Sequence, residues 1–232
     1  MSKNKPSNRQ KGRGYFRSNA SFDRRLGQRQ PRQCLLIVCE GVQTEPTYFE
    51  TLRRELKLTL VEVQVEGYGA APISVVNRAL ASREERRQEA KNAQRKGQFS
   101  PPPFDEVWCV FDIEKPAKNP SFKPAVNKAQ SNNLKLAISN PAFEYWYLLH
   151  FRETAQPFAN ATELMRALKD KDCLPNYEKN LNVCDLLFVH TDVAIERADR
   201  LLFDHPDAGS DFPNPSTLVY KLVKKLKDMI HL

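Results

Sequence analysis

The sequence predicts an α/β protein: a mainly parallel four-stranded sheet with helices on both faces, followed by a C-terminal helical lobe. Three observations lead there. Cys34-Leu-Leu-Ile-Val-Cys39 and Val107-Trp-Cys-Val-Phe111 are unbroken apolar runs of strand length, as expected of strands buried on both faces. Val61, Val63 and Val65 alternate with Glu62, Gln64 and Glu66, the pattern of a strand with one wet face. Between these runs lie segments with helical spacing and short links, so strand and helix alternate four times.

Taken in order, the first run ends at Glu40-Gly41, and Thr44-Glu45-Pro46 reads as a helix start with Thr44 as N-cap. Tyr48, Phe49, Leu52 and Leu56 follow at helical spacing. After the alternating strand, Gly67-Tyr-Gly69-Ala-Ala-Pro72 is a turn; its glycines suit a tight bend, or backbone amides approaching a phosphate. Ile73, Val76 and Leu80 open a long helix whose distal part, Arg83 to Lys96, is almost all charged and reads as a solvated face. Pro101 to Pro103 break the chain before the second apolar strand, which ends at Asp112-Ile-Glu114. A helix over Pro124 to Asn132, a strand over Leu134 to Ile138 and an apolar helix over Ala142 to Phe151 complete the unit.

The two strands without alternation belong at the centre and the alternating one at an edge. Strands one and three then end side by side at the carboxyl edge, where open α/β sheets place ligands. Past Pro157 no further strand is expected; helices are predicted over Thr162 to Lys169, Glu178 to Phe188, Val193 to Phe203 and Ser216 to Ile230. This divides the chain into an arm (1–33), an α/β domain (34–156) and a helical lobe (157–232).

The chain has 232 residues and a formal net charge of +8. Residues Met1 to Gln33 hold ten Lys and Arg against Asp23 alone, a net of +9, so the rest is close to neutral. Such a segment, poor in aliphatics, is expected to be disordered in isolation. Arg9, Lys11, Arg13, Arg17, Arg24 and Arg25 stand among Tyr15, Phe16 and Phe22, a mixture able to neutralise phosphates and stack on bases of DNA or RNA. A solubilising arm, or a contact for an acidic protein, would look the same. No apolar run reaches the length of a membrane span, so no membrane association is expected. No secretory signal opens the chain, and five cysteines without CxxC spacing suit a reducing compartment, so a cytoplasmic location is expected. Self-association into a homo-oligomer is left open.

Three acids stand where the central strands end: Glu40, Asp112 and Glu114. Residues two apart in near-strand geometry face one side, so Asp112 and Glu114 can converge. Carboxylates brought together raise one another's pKa unless a cation sits between them, and oxygen-only ligands suit Mg²⁺ or Mn²⁺. Acids at strand ends also serve as plain caps or solvated turn residues. Glu144, in an otherwise apolar helix, needs a partner, either a structural one or as support for the site. No histidine pair has ligand spacing, and no GxxxxGK[ST] stretch exists, so ATP hydrolysis at a Walker-type site is not expected.

Cys39-Glu-Gly-Val-Gln-Thr-Glu-Pro-Thr-Tyr-Phe49, Phe104-Asp-Glu-Val-Trp-Cys-Val-Phe-Asp112 and Ser139-Asn-Pro-Ala-Phe-Glu-Tyr-Trp-Tyr-Leu-Leu-His-Phe151 resemble the RloB family, with similarity running from about Arg32 to the C-terminus. The resemblance implies a Toprim-like, Rossmann-like catalytic fold and a setting in bacterial restriction-linked and abortive-infection loci. It implies a metal-dependent nuclease of anti-phage defence with an ABC- or AAA-type ATPase partner. Glu40 would then be the general acid/base, and Asp112 with Glu114 would hold the metal. Glu45, in the Cys39-Glu-Gly-x-x-Thr-Glu stretch, would be a further ligand, with Gly41 and Glu144 in support. Glu114 stands where the family pattern has Asp. The alternative is a degenerate fold that binds nucleic acid or scaffolds the ATPase without catalysis.

Overall fold

The computed structural model describes residues 33–65, 71–113, 120–204 and 212–231. Strands β1 (Leu35–Cys39), β2 (Val61–Val65), β3 (Glu106–Asp112) and β4 (Lys135–Asn140) form a parallel sheet in the order β2-β1-β3-β4. The unbroken apolar runs are the central strands β1 and β3, in register as Ile37↔Trp108 and Cys39↔Val110, and the alternating segment is the edge strand β2. The sheet has five strands, not four. Ser216–Thr217 forms β5, antiparallel to the end of β4 with Ser139↔Thr217 in register. The expectation that strands stop after Pro157, with a helix from Ser216, is corrected accordingly.

Side chains alternate across the sheet and build two cores. Leu36, Val38, Val107, Cys109, Phe111 and Ile138 pack under α2 (Pro72–Lys96) and α3 (Phe122–Ser131). Leu35, Ile37, Cys39, Trp108, Val110 and Ala137 pack against α1 (Thr44–Glu55) and α4 (Glu144–Phe151). The same core continues into the C-terminal helices α5 (Ala161–Leu168), α6 (Cys184–Phe188), α7 (Thr191–Phe203) and α8 (Val219–Asp228). Seven of the eight residues of α4 are buried, Glu144 and His150 among them, as expected of a helix apolar on nearly every face. Tyr48, Phe49, Phe143, Trp146 and Tyr147 stack edge to face between α1 and α4.

Local chemistry explains the element limits. Pro72 opens α2, and Gly97, left-handed at φ 63°, closes it with its N–H on Gln94 O. The distal part of α2 is not wholly solvated: Arg86 pairs with Glu62 (2.5 Å) and lies over the Phe104 ring at 4.4 Å. Asn160 caps α5 by accepting from Glu163 N, while Glu163 Oε2 accepts from Ala159 N. Thr44 is the first helical residue of α1, not its cap; Gln43 precedes it and the turn has no side-chain cap. The helix expected over 178–188 begins only at Cys184, where Asn182 Oδ1 accepts the Cys184 N–H and stops it extending backwards. β5 is held by a reciprocal pair, Phe158 N to Asn214 Oδ1 (3.2 Å) and Asn214 Nδ2 to Phe158 O (2.8 Å). Among the described residues no helix is long and apolar enough to cross a membrane.

Candidate active site at the carboxyl edge of the sheet

Glu40 follows β1 directly and Asp112 is the last residue of β3, so parallel pairing sets them on neighbouring chain segments. Glu40 N donates to Val110 O (2.9 Å), and Asp112 N donates to Glu40 Oε2 (3.2 Å). Glu45 comes from the first turn of α1 and Glu144 opens α4; both are buried. The folded chain therefore collects Glu40, Glu45, Asp112 and Glu144 at one edge, close enough that Glu40, Glu45 and Glu144 all act on Asp112.

Burial pushes the Asp112 carboxyl well above the usual carboxylate range, and the charges on Glu45, Glu144 and Glu40 push it further. The Phe143 N–H, at the entry to α4, offsets part of this by donating to it. Asp112 Oδ1 is buried and has no hydrogen-bond partner among the described residues. Burial also raises Glu45, and the Glu144 charge adds to it; its own N–H, Lys179 and the Gly41 N–H act in the opposite direction. Gly41 is the seat of that carboxylate: a Cβ there would lie 2.6 Å from Glu45 Oε1 and 2.7 Å from its Cδ. Glu144 finds its partner in Lys179, whose Nζ is 3.8 Å from Oε1.

Glu114 lies outside the described residues, as do Gly67, Gly69 and the arm residues Arg9, Lys11, Arg13, Arg17, Arg24 and Arg25. Among the described residues no three Asp, Glu, His or Cys side chains are arranged to hold a metal ion. The chemistry of the donors nevertheless fits a hard cation: oxygens only, mutually repelling, with one enclosed carboxylate oxygen that no other described residue satisfies. Lys179 was not singled out from the sequence. It stands in no motif, and its approach to Glu144 depends on tertiary folding alone. Cys34, Cys39 and Cys109 are buried in the strand region, as small apolar residues would be.

Fold and site together define an α/β protein with a mainly parallel sheet and a cluster of acidic side chains at its carboxyl edge. The sequence model of RloB-like proteins matches residues 35–226, and the chain belongs to this family. No curated protein and no solved structure matches it significantly.

Proposed function

We propose that this protein is a metal-dependent nuclease with a Toprim-like fold, acting in the cytoplasm in anti-phage defence beside an ABC- or AAA-type ATPase. The observation that carries the reading is the enclosed, unpartnered Oδ1 of Asp112 amid Glu40, Glu45 and Glu144. Buried like charges are costly, and proteins keep them chiefly at functional sites. Asp112 with Glu114 would hold Mg²⁺ or Mn²⁺, with Glu45 as a further ligand and Glu40 beside the ion. When bound, the ion supplies charge neutralisation and polarisation of a phosphodiester. Glu40 is half-buried and keeps access to solvent, so it is the acid suited to exchange a proton with a water or a leaving oxygen. The Gly41 N–H and the N–H of Glu45 itself hold the Glu45 carboxylate in place. The arm around Arg9 to Arg25 would hold the DNA or RNA backbone without reading sequence.

The test is Mg²⁺- or Mn²⁺-dependent cleavage of phage DNA, plasmid and tRNA, with and without the neighbouring ATPase. Glu40→Gln and Asp112→Asn should abolish it; cleavage at the wild-type rate by both variants would refute the assignment. One observation favours a second reading, a non-catalytic nucleic-acid-binding or ATPase-scaffolding protein: no three described acids meet at one point. Calorimetric titration with Mn²⁺ separates the two, since a degenerate site would take up no ion.

A further inference from the structure

The mouth of the acidic cluster carries a positive charge. Residues 169–183, between α5 and α6, form neither helix nor strand. They are nonetheless held firmly against α1. Leu174 and Tyr177 are buried in the core, Asn182 Nδ2 donates to Thr51 Oγ1 (3.2 Å), and Lys179 O accepts from Thr44 Oγ1 (3.4 Å). This strap brings Lys179 to Glu144, and its charge also reaches Glu45. The pair is lopsided: the Glu144 side chain is 3% exposed and the Lys179 side chain 61%. At 3.8 Å the contact is an ion pair and not a hydrogen bond, so the ammonium keeps its donors for another acceptor.

We infer that Lys179 is the phosphate-binding residue of this site, receiving a backbone phosphate of the nucleic acid that approaches the acidic cluster. The inference rests on the proposed reading of the site for the class of its ligand. An anionic chain nearing several carboxylates is repelled. A cation fixed at the rim, with its carbonyl tied to the first residue of α1, offsets that repulsion and draws the phosphate in. A lysine is suited to this as a compact point charge with three donors. If Lys179 served only to neutralise Glu144, its loss would change stability and leave binding untouched.

The experiment uses the full chain and a fluorescein-labelled single-stranded 20-mer, as DNA and as RNA. Anisotropy is read over a salt series in EDTA and again with Ca²⁺. The variants are Lys179→Met, Lys179→Arg, the charge-balanced Glu144→Gln/Lys179→Met, and Lys224→Met as an exposed control on α8. Lys179→Met should weaken binding about three- to tenfold and make the salt slope shallower by about 0.7, one phosphate contact on a single strand. Lys179→Arg should retain binding, the double variant should fold normally and still bind weakly, and Lys224→Met should match wild type. Unchanged affinity and slope in both Lys179→Met and the double variant would overturn the inference. So would a wild-type chain that binds neither probe. If the wild type cleaves no substrate with either metal while the Lys179 effect on binding persists, the nuclease reading fails and Lys179 keeps its role. If Glu40→Gln is dead and Lys179→Met binds and cleaves as wild type, the inference about Lys179 fails by itself.

Discussion

Asp112→Asn is expected to make the folded protein more stable, although Asp112 is the most constrained acid of the site. The substitution keeps the shape of the side chain and creates no cavity. It removes a charge that burial and three neighbouring carboxylates oppose, and replaces one carboxylate oxygen with a donor that those carboxylates can accept. Leaving a buried polar atom such as Oδ1 unpaired costs about 1–3 kcal/mol. Relief of that order corresponds to a rise in Tm of roughly 2–12 °C for a chain of this size. The sign of the pH dependence follows from linkage. The folded-state pKa of Asp112 is raised, so the folded protein binds the proton more tightly than the unfolded chain. Wild-type stability therefore increases as pH falls through that raised pKa towards the ordinary carboxylate range. The advantage of Asp112→Asn should be largest at pH 8 and fade at acid pH. Calorimetric melts in EDTA at several pH values read this directly. An Asp112→Asn protein less stable than wild type at pH 8 would refute the reasoning, because it would mean that the Phe143 N–H and other partners stabilise the charge by more than burial and the neighbouring acids oppose it. Mn²⁺ at a hundred times its Kd should stabilise the wild type by about 2.7 kcal/mol and leave Asp112→Asn unmoved.

Three further outcomes follow. Burial holds the His150 imidazole down at about 4, from an ordinary value near 6.5, with Nδ1 on Trp146 O. Its contribution is complete above about pH 6.5 and is lost as pH falls towards 4, about 3 kcal/mol in all, and denaturant titrations should show His150→Gln lacking that acid limb. Gly41→Ala should displace the Glu45 carboxylate, cost about 1–3 kcal/mol by overpacking, and weaken Mn²⁺ uptake in calorimetric titration. Cys34, Cys39, Cys109 and Cys184 are buried, with Cys109 pushed up to about 12 and Cys184 to about 11, whereas Cys173 is half-buried. A thiol reagent should therefore label Cys173 first in the native protein and reach the others only on unfolding; rapid native labelling of Cys39 would contradict the packing of β1.

What could be read from the sequence followed physical periodicity. β1 and β3 are apolar at every central position because both faces of the sheet are covered, and that covering is what made them legible as central strands. α2 was legible from the helical spacing of Ile73, Val76 and Leu80 and its charged extension to Lys96, whereas Pro72, read as the end of a turn, is its first residue. Glu40 and Asp112 were legible as neighbours because each terminates such a strand. β5 was not legible: two residues carry no period, and the pairing joins Ser139 to Thr217 across most of a domain. The gathering of Glu45 and Glu144 needs α1 and α4 to dock side by side through their aromatic rings, which no local pattern encodes. Lys179 was invisible for the same reason.

The aromatic packing of α4 also equips the protein with an internal optical gauge. Only two tryptophans are present. Trp108 is nearly buried with its indole N–H on Glu106 Oε2 (3.1 Å), whereas Trp146 is fully enclosed, two residues beyond Glu144 and 4.7 Å from the His150 ring. Under the proposed reading, ion uptake or proton exchange at the head of α4 would take place within one helical turn of a native fluorophore, and emission from Trp146 would report it without any label.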